Sequence, residues 1–160
     1  MNYPGHKLLC AALLLLCGAC TSTSPPPTYR STSDNAMNEL AFYAMSLADT
    51  PYRYGGTTVT QGFDCSGFVG YVFLNSLGQK LPRTSLEMSR TGNPVDADDL
   101  RPGDLVFFNT QNQPYSHVGI YLGDNRFVHA PKAGKAVEVV NMQTGYWQNH
   151  YDGARRLGNE

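Results

Sequence analysis

The spacing of apolar and polar residues changes three times along the chain. Leu8 to Cys17 is an unbroken apolar run of 10 residues, and Thr21 to Ser33 carries hardly an aliphatic side chain. From Asp34 onward, Met37, Leu40, Ala41, Ala44, Leu47 and Ala48 recur three or four residues apart, which predicts an amphipathic helix with Asp34 as N-cap. Thr50-Pro51 ends it, and paired glycines at 55 and 56 put the following stretch in a loop. A second helix is expected to start at Cys65, burying Phe68, Val69, Val72 and Phe73 and closing at Gly78. Thr84 and Glu87 have capping-box spacing for a short third helix ending at Gly92. After Pro94 the period becomes that of strands: 105–109, 117–122, 126–130, 136–140 and 151–157, separated by turn residues. Helices first and strands after imply an α+β domain on an antiparallel sheet of about five strands.

The first apolar run is too short for the roughly 20 residues of a membrane-spanning helix. With Lys7 before it and small residues after it, it reads as a secretory signal over residues 1–19. Gly18-Ala19-Cys20 resembles a bacterial lipobox, with Cys17 where leucine is usual three residues before the modified cysteine. Cys20 is therefore the expected lipid attachment point, and ordinary secretion is the alternative. Residues 20–33, with the Pro25-Pro26-Pro27 run, cannot bury enough surface to fold and form a tether reaching roughly 40 Å when extended. Residues 34–160 make the folded domain. This layout predicts anchorage through lipid at the periplasmic face of an outer membrane.

The 160 residues include 12 basic and 13 acidic side chains, for a formal charge of −1. That lacks the basic excess that holds a phosphate backbone, so nucleic acid is not an expected partner. The 4 cysteines first suggest disulfides. However, Cys10 and Cys17 fall in the signal and Cys20 takes the lipid, so the folded domain keeps one thiol, Cys65.

Cys65 stands where a glycine-rich loop meets a helix start, a position whose dipole favours thiolate. A thiolate nucleophile needs a base, and the domain offers His117, His129 and His150. If Gly123-Asp124-Asn125 is a three-residue hairpin loop, Gly119 pairs with His129 and places His117 diagonally beside it on the same face. A two-residue loop would turn His129 to the other face. The resulting Cys-His-His set fits nucleophilic catalysis: His117 takes the proton of Cys65, His129 orients His117, and N–H groups at the helix start serve as oxyanion hole. His150, in the polar aromatic segment 146–151, is expected at the surface. One cysteine and two histidines are a thin ligand set, so neither metal nor cofactor is expected.

Six blocks carry a resemblance over about Asp34 to Leu157: Pro51-Tyr52-Arg53-Tyr54-Gly55-Gly56, Asp64-Cys65-Ser66-Gly67-Phe68-Val69, Leu81-Pro82-Arg83-Thr84-Ser85, the stretch 100–108, His117-Val118-Gly119-Ile120-Tyr121 and Phe127-Val128-His129-Ala130. In this order they resemble the NlpC/p60 cell-wall peptidases, a papain-like α+β family. The resemblance implies Cys65 as nucleophile, His117 as base, His129 as third polar residue, and Tyr52 near substrate or oxyanion. Asp64 and Ser66 match residues that hold a free amine in some relatives; each could equally cap the helix. Met88 stands where many relatives carry glutamine. The implied activity is peptidoglycan endopeptidase, with peptidoglycan peptide as substrate, the D-alanine to meso-diaminopimelate bond favoured and the chain a monomer. A D-glutamyl to diaminopimelate endopeptidase and a non-catalytic wall-binding lipoprotein are the alternatives.

Overall fold

The computed structural model describes residue 1 and residues 32–158. The expected signal, the lipid site at Cys20 and all of the tether up to residue 31 lie outside the described residues. Helix α1 spans Thr32–Ser46, starting two residues ahead of the cap expected at Asp34. Asp34 instead sits in the first turn, where its charge complements the helix dipole. A two-stranded ribbon, β1 (Thr57–Thr58) and β2 (Gly62–Phe63), then leads into α2 (Cys65–Leu77).

Asp64 caps α2 by accepting the Gly67 N–H at 2.7 Å. Gly78, left-handed at φ 68°, closes the helix with its N–H on the Leu74 carbonyl. Helix α3 (Ser85–Met88) opens on the expected Thr84–Glu87 capping box but stops four residues short of Gly92. Gly92 has another task. It turns with φ 68° against the backbone of Arg156, where a Cβ would meet the Arg156 carbonyl oxygen at 2.4 Å.

The main sheet has six strands in the order β3-β8-β4-β5-β6-β7, all pairs antiparallel. These are β3 (Asn93–Val95), β4 (Leu105–Phe108), β5 (His117–Gly123), β6 (Arg126–His129), β7 (Glu138–Asn141) and β8 (Tyr151–Arg156). β3 is the strand the apolar pattern does not announce, since Asn93-Pro94-Val95 is a mostly exposed edge. A short helix α4 (Gly145–Asn149) precedes β8.

Both faces of the sheet are covered, so β4 is buried along its whole length. Leu105 and Phe107 join α1, α2 and α3 in one core with Phe68, Val72, Phe73, Val118 and Ile120. Val106 and Phe108 point the other way, into a second core with Tyr121, Phe127 and Met142, packed by Trp147 and Tyr151. Asp104 anchors the end of β8: it is buried and accepts Arg156 Nε at 2.8 Å and Nη2 at 2.7 Å, together with the Arg101 N–H.

The β5–β6 hairpin departs from the expected loop and still keeps the expected register. Its turn has two residues, Asp124 and Asn125, both at positive φ as a type I′ turn requires, with Gly123 opposite Arg126. One residue further in, Tyr121 faces Phe127, so Leu122 is an extra, bulged residue. The bulge offsets the shorter turn and brings the register back to the one a three-residue loop would give. Gly119 then fits between the strands, where a Cβ would lie 2.6 Å from the Phe127 ring and 2.8 Å from the Val128 carbonyl oxygen.

Gly119→Ala is therefore expected to destabilise the domain by about 1–3 kcal/mol through overpacking. Gly145→Ala, with open space around its Cβ position in α4, should be neutral or stabilising by up to ~1 kcal/mol. Denaturant unfolding of both variants checks the contrast, and equal effects would refute it.

Candidate active site

The first turn of α2 has three N–H groups without helical acceptors, those of Cys65, Ser66 and Gly67. Asp64 takes the Gly67 donor. The N–H groups of Cys65 and Ser66 are left directed at the Cys65 sulfur, and the Val118 N–H reaches it from β5. Val118 directly follows His117, so the thiol lies against the β5 backbone next to the expected base. Two of these donors, on Cys65 and Ser66, could also serve the oxygen of a carbonyl attacked by the sulfur as it becomes an oxyanion.

His117 and His129 are brought together as the register requires. His117 Nε2 and His129 Nδ1 are 2.7 Å apart, with both rings buried. For His117 to accept a proton at Nδ1, its Nε2–H must donate to His129 Nδ1, which places the remaining His129 proton on Nε2. Among the described residues that Nε2 has no hydrogen-bond partner. It is enclosed by aromatic rings instead: His129 lies 4.8 Å from Phe127 and 4.8 Å from Trp147, the latter edge to face at 86°. Trp147 also packs on His117 at 5.7 Å.

This dry environment sets the protonation states. Burial lowers His117 to about 4, and burial together with His117 lowers His129 to about 2. Burial, then the Asp64 charge, pushes the Cys65 thiol up, against the three N–H donors that pull it down. Desolvation and the Asp64 charge thus oppose the thiolate that the helix dipole and the N–H donors favour, and burial favours neutral imidazole at both histidines. A thiol beside a neutral imidazole can act as a nucleophile by passing its proton to the ring as the sulfur attacks.

Tyr52 stands beside Cys65. Its N–H is tied to the Lys135 carbonyl at 2.8 Å, and its phenol is raised first by burial and then by the nearby Cys65 and Asp64. Asp64 and Ser66 are engaged by Arg83, which places Nη1 2.8 Å from Ser66 Oγ and 3.1 Å from Asp64 Oδ1, and Nη2 2.6 Å from Asp64 Oδ2. Both capping and this ion pair employ Asp64. Met88 is fully buried in the first core and offers no polar group to the cleft. His150 stays apart from the pair, stacked on Tyr146 at 4.3 Å with Nδ1 on the Tyr146 carbonyl.

Trp147 and Arg83 are the neighbours that spacing did not single out. Trp147 arrives on a five-residue helix with no apolar period of its own, although a lone tryptophan in a polar segment is itself a hint. Among the described residues no group of three or more His, Cys, Asp or Glu side chains converges as a metal-binding set.

Residues 49–156 match the NlpC/P60 family. The chain is 40% identical over 152 residues to the probable endopeptidase NlpC of Escherichia coli K12, covering 94% of this chain and 97% of that protein. It is 41% identical over 125 residues to the murein DD-endopeptidase MepH of the same organism, covering 76% of this chain and 45% of MepH, so it spans less than half of that relative. A crystal structure of an NlpC/P60 family protein from Bacillus cereus ATCC 10987 superposes with a TM-score of 0.70 at 36% identity, covering 75% of this chain and 39% of the other.

The depressed histidines make folding stability depend on pH. In the unfolded chain both take up a proton near 6.5; in the folded domain they do so only near 4 and 2. Unfolding therefore binds protons in this window, and stability falls as pH drops below 6.5, by up to about 1.4 kcal/mol per pH unit for each histidine. His129→Phe should remove about one proton from the slope of unfolding free energy between pH 6 and 4. An unchanged slope would refute the assignment.

Proposed function

Since the chain belongs to the NlpC/P60 family, we propose that it is a peptidoglycan endopeptidase of the cysteine type, cutting peptide bonds of murein stem peptides or their cross-links. The observation that carries this reading is the His117–His129 pair at 2.7 Å, with the Cys65 thiol meeting the N–H of Val118, the residue after His117 on β5. The murein DD-endopeptidase activity in the name of MepH favours the bond between D-alanine and diaminopimelate.

The residues supply each step. The Cys65 sulfur attacks the scissile carbonyl while its proton passes to His117 Nδ1. The oxyanion is held by the N–H groups of Cys65 and Ser66, with Tyr52 alongside. His129 Nδ1 accepts from His117 Nε2 and stabilises the transient imidazolium, whose formation the dry surroundings otherwise oppose. Collapse of the tetrahedral intermediate breaks the C–N bond, and His117 returns the proton to the departing amine. The thioester is then hydrolysed by water that His117 deprotonates, which restores thiol and neutral imidazole.

Localisation belongs to the same proposal. A lipid on Cys20 and the Ser/Thr/Pro tether would hold a monomeric domain at the periplasmic face of the outer membrane, within reach of the wall. The support is the sequence around Gly18-Ala19-Cys20.

Incubation of the purified protein with cross-linked muropeptides, followed by mass spectrometry, is expected to yield products with new termini at the D-alanine to diaminopimelate bond. Cys65→Ala should abolish cleavage, and His129→Ala should lower kcat by about 10²–10³-fold. No products from the wild type would sink the reading. For the anchor, Cys20→Ala should move the protein from the membrane to the soluble fraction; an unchanged distribution would rule out lipidation there.

A further inference from the structure

The charged cluster beside the nucleophile has an orientation that bears on specificity. Asp64 is fully engaged: Oδ1 accepts the Gly67 N–H at 2.7 Å, Arg83 Nη1 at 3.1 Å and Ser66 Oγ at 3.3 Å. Oδ2 accepts the Gly55 N–H at 3.0 Å and Arg83 Nη2 at 2.6 Å. A carboxylate offers about four lone-pair directions, so five donors leave none for an incoming ammonium group. The group that stays available is the cation.

Arg83 meets Asp64 with the two ends of its fork, and the second hydrogen of Nη1 goes to Ser66. Among the described residues nothing accepts from Nε or from the second hydrogen of Nη2. These two N–H bonds lie parallel on one edge of the guanidinium plane, the geometry that takes a carboxylate bidentately. The side chain is 48% exposed and next to Cys65 and the exposed Tyr54 ring. Its orientation is fixed by the ion pair before substrate arrives, which reduces the ordering cost of binding.

We infer that Arg83 is a specificity-determining residue, whose free Nε/Nη2 edge receives a carboxylate carried by the substrate within about one residue of the scissile bond. This rests on the reading of the site as a stem-peptide endopeptidase and adds the ligand chemistry. Murein stem peptides carry two such groups. A γ-linked D-glutamate leaves its α-carboxylate free, and meso-diaminopimelate keeps a carboxylate at its second amino-acid centre, on the carbon that bears the scissile nitrogen of a cross-link. The site therefore selects for anionic substrates and needs no free N-terminal amine.

The test uses three cross-linked muropeptide dimers: one with its carboxylates free, one amidated at diaminopimelate and one amidated at D-glutamate. The wild type should cut the free form with kcat/KM about tenfold or more above one of the amidated forms, chiefly through KM, and the form affected identifies the carboxylate bound. Arg83→Met should cut the free and amidated forms alike, and Arg83→Lys should keep only part of the preference. A merely structural partner of Asp64 would change the rate on all dimers in proportion and leave their ratio intact. Equal cleavage of all three by the wild type, or an unchanged ratio in Arg83→Met, overturns the inference while the endopeptidase reading stands. Cleavage of none overturns both. The wild-type comparison decides the matter even if Arg83→Met fails to fold.

Discussion

Everything around Cys65 hangs on the carboxylate of Asp64. It caps α2, holds the Gly55-Gly56 turn through one N–H, and pairs with Arg83 from the segment ahead of α3. Its own N–H is fastened to the Gly56 carbonyl at 3.1 Å. Two segments outside the helix are thereby fixed relative to the first turn of α2, and the thiol is carried on that turn. The carboxylate is shielded from solvent, so each of these charge-assisted bonds is stronger than its surface counterpart. The same charge also raises the thiol beside it. The residue that builds the site is therefore one of those that disfavour the Cys65 thiolate.

That trade defines how the site works. A surface Cys-His pair can separate charge in advance and wait as an ion pair. Here Phe127 packs on His129 and Trp147 packs on both histidines, His129 Nε2 has no hydrogen-bond partner among the described residues, and His117 is held neutral well below physiological pH. In the proposed reaction, charge separates as the carbonyl is attacked and the backbone donors share it. Disfavouring the thiolate also slows oxidation of Cys65, since the thiolate is the reactive form.

Much of this could be read from residue order alone. The five longer strands, the helix at Cys65 and its Gly78 closure follow from periodicity, because those elements have one dominant burial pattern. The edge strand at Asn93-Pro94-Val95 and the short helix carrying Trp147 are decided by neighbours they meet only in the folded state. The pairing of the histidines was legible for a reason that was incomplete: the turn is shorter than the spacing suggested, and Leu122 bulges to compensate. Arg83 was visible as part of a motif, but its partnership across 19 positions with Asp64 has no local signature.

The hairpin thus carries a parity condition. Two independent length variables, the turn and the strand next to it, must sum to a value that keeps His117 and His129 on one face. Changing either by one residue reverses the face of every position beyond it, while a compensated double change leaves the pair untouched. A residue inserted at 122–125 leaves His117 and His129 on one face only if the turn or the bulge absorbs it, so this short surface loop carries a constraint set by two buried side chains.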